Sequence, residues 1–225
     1  MGTLFVVTTP IGNLADITLR ALKTLKEVDL ILSEDTRETD KLLKKYNITK
    51  SQISYRDQNH TKILPKILAL LKQGKSLALT SDSGTPLISD PGFKLVQEVK
   101  AQNHNVITIP GPVAFAAAIS ISGLPTDKIA FLGFLPKKKN QRAKLLQEYG
   151  NLDCTLTIYE SPFRIKSLLD EIYEVLGNRT ICLAKDLTKI HENVETKSVL
   201  EFIENKDTIV EKGEYVVLVA KKAFR

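Results

Sequence analysis

Ser81-Asp82-Ser83-Gly84-Thr85-Pro86-Leu87-Ile88-Ser89-Asp90-Pro91-Gly92 follows the apolar run Ser76-Leu77-Ala78-Leu79-Thr80, which reads as a buried parallel strand. After it comes a helical pattern with Phe93, Leu95, Val96 and Val99 on the apolar side. Small residues, two carboxylates and two prolines are thus gathered at the carboxyl end of a strand, where open α/β sheets bind ligands. Glycine lets backbone approach a ligand, and proline fixes the loop without donating a hydrogen bond. A connection that only had to turn needs about two to six residues, so the length of this one favours a site.

A second loop sits near the amino terminus. Leu4-Phe5-Val6-Val7-Thr8 reads as the first strand, and Thr18 opens a helix carrying Leu19, Leu22 and Leu25. Between them, Thr9-Pro10-Ile11-Gly12-Asn13-Leu14-Ala15-Asp16 matches neither the G-x-G-x-x-G turn nor the G-x-x-x-x-G-K-[ST] phosphate loop. Two cofactor-like loops without a phosphate cradle favour a ligand that is not gripped by its phosphates.

Working outward, strands are expected at 4–8, 28–33, 52–55, 76–80 and 106–109, with helices near 18–26, 37–45, 62–73, 92–102 and 113–122. Ile63, Ile67, Leu68 and Leu71 give the helix at 62–73 one apolar side. This alternation predicts an α/β fold with a mostly parallel amino-terminal sheet. Beyond it, strands at 129–135, 155–159, 180–184, 190–196 and 214–220 follow one another more closely, with helices near 140–147, 163–176 and 198–204. A mixed carboxy-terminal sheet is expected. Pro110-Gly111-Pro112 interrupts both rhythms, which puts the boundary between domains 1–111 and 112–225.

The 225 residues are 43% hydrophobic, enough for a real core, and carry a net charge of +6, which permits an acidic partner without demanding one. Met1-Gly2-Thr3-Leu4 has no basic leader, and the longest mostly apolar segment, 113–124, is too short for a bilayer, so a cytoplasmic protein with no membrane partner is expected. Cys154 and Cys182 lie in apolar runs and read as buried thiols, and His60, His104 and His191 lack metal-ligand spacing.

Six segments in order then carry a resemblance: Thr9–Leu14, Glu34-Asp35-Thr36-Arg37, Ser81–Gly92, Pro110-Gly111-Pro112, Gly133-Phe134-Leu135-Pro136 and Tyr159-Glu160-Ser161. From Leu4 to about Ala220 the chain resembles the small-subunit ribosomal RNA methyltransferase I family of the tetrapyrrole-methylase superfamily. The resemblance implies a two-domain fold with the cofactor cleft between the domains, S-adenosylmethionine as cofactor, and 2′-O-ribose methylation of a cytidine in the decoding region of 16S ribosomal RNA. It implies the small ribosomal subunit as partner rather than DNA, and a homodimer. Ile11 and Gly12, then Asp82, Ser83, Gly84 and Leu87, then Val113, Ala114, Glu160 and Leu187 match cofactor positions. For Leu87, Val113, Ala114 and Leu187, plain core packing stands beside that reading. Tetrapyrrole-acting relatives often carry Gly-Asp-Pro where this chain has Ser83-Gly84-Thr85, which favours the ribosomal branch.

For chemistry, Glu34, Asp35 and Arg37 end a strand and are suited to orient a ribose and phosphate, or else Asp35 or Thr36 caps a helix. Glu160 and Arg164 flank a strand-to-helix turn, with an ion pair bracing that turn as the other reading. Ser161-Pro162-Phe163-Arg164 departs from the family's Ser-Thr-His-Arg, so Phe163 receives no catalytic role. Lys185 is a candidate base near the hydroxyl, or an exposed strand-end lysine. Asp35, Arg37, Glu160 and Lys185 are therefore the catalytic candidates, with no metal. Lys137, Lys138, Lys139 and Arg142, with Arg37 and Arg164, are the RNA-binding candidates, against the ordinary meaning of a basic run as a solvated face. Two other readings are a small-molecule tetrapyrrole methylase and a non-enzymatic ribosome-binding protein.

Overall fold

The computed structural model describes residues 2–222 and 224. The chain divides into two compact units, Met1–Val113 and Ala114–Arg225.

The first unit holds β1 (Thr3–Val7), α1 (Leu19–Glu27), β2 (Leu30–Ser33), α2 (Thr36–Lys45), β3 (Gln52–Ser54), α3 (His60–Lys72), β4 (Ser76–Thr80), α4 (Phe93–Ala101) and β5 (Asn105–Ile109). All its strands pair in parallel, in the order β3-β2-β4-β1-β5. Successive strand residues face opposite sides, and the core divides accordingly. Ile31 and Ala78 pack with Ala21, Leu25, Leu42 and Leu43 of α1 and α2. Leu32, Leu77 and Leu79 pack with Ile67, Leu71, Leu95 and Val99 of α3 and α4. Right-handed crossovers require this arrangement. The chain moves toward β3 through α1 and α2, then back across the sheet through α3 and α4, so the two helix pairs cover opposite faces. Neighbouring strands β1 and β4 send their chains to opposite faces, and it is outside the carboxyl ends of such a pair that open α/β sheets bind ligands.

The second unit holds α5 (Ala114–Ile121), β6 (Ile129–Phe134), α6 (Lys139–Gly150), β7 (Thr155–Glu160), α7 (Ile165–Leu176), β8 (Thr180–Lys185), β9 (Asn193–Ser198), α8 (Val199–Glu204) and β10 (Tyr215–Val219). Its sheet, ordered β6-β7-β10-β8-β9, is mixed: β6 and β7 are parallel, while β10 runs antiparallel to β7 and β8. Leu146, Leu168, Ile172 and Phe202 pack on Leu156, Ile158, Ile181 and Val217. Cys154, just before β7, and Cys182, inside β8, are buried free thiols.

Three expectations need correction. Leu19 is 86% exposed and Phe93 is also exposed, since each is the first residue of its helix, where no neighbouring layer covers it. The strand expected from Ile190 begins at Asn193, and Ile190 is 97% exposed in the preceding turn. The helix expected from Phe163 begins at Ile165 and leaves the Phe163 ring in solvent.

Candidate functional site

The carboxyl ends of β1, β4 and β5 are laced into one corner of the first unit. Thr9 donates its amide to the Gly84 carbonyl at 2.9 Å, and the Gly84 amide donates to Pro10 at 3.4 Å. The Thr9 hydroxyl donates to the Ser81 carbonyl at 3.2 Å, and the Thr8 and Thr85 hydroxyls lie 3.0 Å apart. Thr85 also donates to the Pro112 carbonyl at 3.5 Å. The two loops read as cofactor-like are thereby brought together. A Cβ at Gly84 would stand 3.3 Å from Ile11 Cγ2, and its φ of +80° is one that side chains rarely adopt. Ile11 is buried, while Gly12, Asp82 and Ser83 are exposed. Leu87 and Ser89 hold left-handed φ values of 74° and 66°, which is unusual for residues with side chains. Leu87 also packs on the α3–α4 core, as its core-packing reading expects.

Beside this corner, the ends of β2 and β4 clasp each other. The Asp35 amide donates to Asp82 Oδ1 at 2.9 Å, and the Asp82 amide donates to Glu34 Oε2 at 3.4 Å. Asp35 is the N-cap of α2 and accepts from the Arg37 amide at 2.9 Å, as the capping reading requires. Its carboxylate also pairs with the Arg37 guanidinium at 2.6 Å, which holds it far below the usual carboxylate range. Arg37 is 84% exposed on its side chain. Burial raises the Glu34 carboxyl above its ordinary value. Asp82 is raised too, by desolvation of its carboxyl end although the residue as a whole is exposed. Asp90 is pushed up to about 7, first by burial and then by the nearby Glu34 charge. Glu34 is one of the two acids the sequence places at the end of β2, whereas Asp90, one of the loop's two carboxylates, is not among the site candidates. Arg56 was missed as well: it donates from Nε to the Glu34 carbonyl at 2.9 Å and reaches Asp35 at 3.4 Å. The only sequence signal was its place just after a predicted strand.

In the second unit, β6, β7 and β8 end on one sheet edge, and Glu160, Tyr215 and Lys185 share a row across it. Glu160 is buried. Its Oε1 accepts from the Ser161 amide and from Arg164 Nε, both at 2.7 Å, so the bracing ion pair is present. Its Oε2 is also buried and has no hydrogen-bond partner among the described residues. Lys185 is ion-paired to Asp186 and its side chain is only 14% exposed, so it is not the exposed strand-end lysine of the alternative reading. Asp186 and Thr188 are left-handed, with φ of 51° and 64°, and between them Leu187 turns inward and is buried. Val113 closes the first unit, and Ala114 opens α5.

The basic run divides. Lys137 and Lys138 are exposed and form no ion pair among the described residues. Lys139 pairs with Glu174 at 2.9 Å on the surface. Arg142 is corrected: it is buried, its Nε donates to Glu171 at 2.7 Å, and its Nη1 donates to the Pro136 and Lys137 carbonyls at 3.1 and 2.6 Å. Every nitrogen is engaged, so no part of it is free for phosphate. Arg164, tied to Glu160, points two nitrogens at the Leu135 carbonyl at 3.4 Å.

Residues 3–202 match the profile of the Tetrapyrrole (Corrin/Porphyrin) Methylases. The Ribosomal RNA small subunit methyltransferase I of Thermotoga maritima is 45% identical over 222 residues, covering 99% of this chain and 100% of that protein. The protein of that name from Rickettsia prowazekii is 44% identical, covering 96% of this chain and 78% of its own length. Among solved structures, the methyltransferase CobJ superposes with a TM-score of 0.71 at 17% identity, over 100% of this chain and 95% of that one. Uroporphyrin-III C-methyl transferase from Thermus thermophilus, complexed with S-adenyl homocysteine, gives 0.66 at 17% identity, over 97% of each chain. At these identities the two structures speak to the fold alone.

Proposed function

Because this chain belongs to the tetrapyrrole methylases, and within them to the ribosomal RNA small subunit methyltransferase I family, we propose that it uses S-adenosylmethionine to methylate a ribose 2′-oxygen of a cytidine in 16S ribosomal RNA. The observation that carries the reading is the laced corner at β1, β4 and β5. It lies at the switch point of a parallel sheet, and a glycine there leaves room that a Cβ would take. Neither loop carries a phosphate cradle, which suits a nucleoside sulfonium better than a dinucleotide.

Ile11, Gly12, Asp82, Ser83, Gly84 and Leu87 would hold the methyl donor. Asp82 is itself fixed by Asp35 and Glu34, so the loop is pre-set rather than ordered on binding. Held there, S-adenosylmethionine would supply an electrophilic methyl for the ribose oxygen, with S-adenosylhomocysteine as the leaving group and a base to take the hydroxyl proton. The protein's part is alignment, which contributes several kcal/mol by positioning, about 7–11 in the best-aligned model systems. Glu160 Oε2, buried without a hydrogen-bond partner among the described residues, suits a ligand donor group. Lys137, Lys138 and Lys139 offer charge for RNA phosphates. The same reading brings with it the small ribosomal subunit as substrate, a cytoplasmic setting and a twofold homodimer. None of the helices among the described residues is long and apolar enough to cross a membrane.

The test is transfer of labelled methyl from S-adenosylmethionine to small ribosomal subunits, free RNA and a tetrapyrrole in parallel. Label in the ribose of one cytidine supports the reading. Label only in the tetrapyrrole, or none at all, overturns it.

A further inference from the structure

The strand β6 contains an irregularity that changes which way its last residue faces. Phe131 pairs with Thr157, but Gly133 pairs with Ile158 and Phe134 with Tyr159, so one extra residue is inserted. Gly133, at φ 61°, absorbs the bend. Without the bulge, strict alternation would put Phe134 on the side of Ala130 and Leu132, which pack on the second unit's core. With it, Phe131 and Phe134 share a face. Phe131 lies 5.0 Å and Phe134 5.7 Å from the Tyr159 ring, both edge-on, and Phe115 stacks on Phe131 at 4.6 Å. The Tyr159 hydroxyl is held in turn by the Phe115 amide at 3.1 Å. Phe134 ends this aromatic row and is 56% exposed.

One exposed phenylalanine is ordinary. A bulge that takes an aromatic ring off the core face and backs it with a tyrosine is a different matter, because bulges re-aim side chains. The backbone just past the ring is equally constrained. Arg164 donates to the Leu135 carbonyl, and Arg142 to those of Pro136 and Lys137, with each arginine anchored by a buried glutamate. Three successive carbonyls are pinned from beneath, and the next side chains outward are the two lysines without ion pairs among the described residues, Lys137 and Lys138.

We propose that Phe134 is a stacking platform for an unpaired base of the RNA substrate, with Lys137 and Lys138 taking the adjoining phosphates. The inference rests on the RNA-methylating reading above and adds the subsite through which that substrate is gripped. Proteins read single-stranded RNA by stacking splayed bases on aromatic side chains beside cationic backbone contacts. A ribose hydroxyl presented for methylation belongs to such a segment. The cations without acidic partners favour a polyanion over an apolar protein surface. Because ring and loop are already fixed, little ordering entropy is lost when the base arrives.

The test uses full-length F134L, which keeps apolar bulk but removes the aromatic face, with F134W as rescue. F134L should raise the KM for small ribosomal subunits about tenfold, an effect of ~1.4 kcal/mol, while kcat, S-adenosylmethionine affinity and the salt slope stay as in the wild type. F134W should restore KM. The chain has no other tryptophan, so the F134W emission reports this site alone and should be quenched when subunits bind. An unchanged KM in F134L, or F134W emission indifferent to bound subunits, overturns the inference while the wild type still transfers methyl. Failure of the wild type to methylate subunits overturns the functional reading and this subsite with it.

Discussion

Gly84 shows how much one missing side chain can decide. Its φ of +80° and the 3.3 Å approach of Ile11 act together, so a larger residue must both strain the backbone and intrude where the loops meet. Gly84→Val should cost about 1–3 kcal/mol of stability through strain, and should weaken S-adenosylmethionine binding by more free energy than that. Calorimetry and thermal melts read the two effects separately, and a fold loss that outweighs the binding loss would make the loop merely structural. Asp90 gives a pH signature. Its carboxyl is raised to about 7 in the folded protein, so between pH 4 and 7 the folded state binds more protons than the unfolded state. Stability contributed at this position therefore falls as pH rises through that window. Asp90→Asn should remove the slope and gain on the wild type in melting temperature from pH 5 to pH 8. Parallel melting curves at the two pH values would refute this.

At the scale of elements, charge and burial part company along α6. Lys137, Lys138, Lys139 and Arg142 form one basic run in sequence, but the helix turns Arg142 inward onto Glu171 of α7. Glu171→Ala leaves that guanidinium buried and unpaired, and should cost about 3–5 kcal/mol in chemical denaturation. Replacing Lys137, Lys138 and Lys139 with alanine should leave the fold intact. Each lost phosphate contact should flatten the salt dependence of RNA binding by roughly 0.7–0.9 in log–log slope. An unaltered slope would show the run to be a solvated face. The strands and helices were legible because apolar alternation repeats over many residues, as at Ile31–Leu32 and Leu77–Leu79. Arg142 was not, because its partner lies 29 residues away and no local pattern announces it. Asp90 was hidden for the same reason: its shift comes from burial and from Glu34, on another strand. The Ile190 segment looked like a strand by composition, but its side chain has no core to face.

For the whole molecule, a charge of +6 favours association with RNA without requiring it. The proposed twofold homodimer should appear as a dimer mass in light scattering at micromolar protein, and a monomer mass there would remove it. Each unit has its own core, one built around a parallel sheet and one around a mixed sheet. The two cysteines of the chain, Cys154 and Cys182, both belong to the second unit and both lie buried, their thiols pushed up by that burial. A shielded thiol is inert to alkylating reagents until its surroundings open. The protein consequently carries a built-in chemical clock for one half of its structure. The rate at which iodoacetamide marks Cys182, at the centre of β8, times the opening of that sheet, while the half that carries Gly84 stays silent.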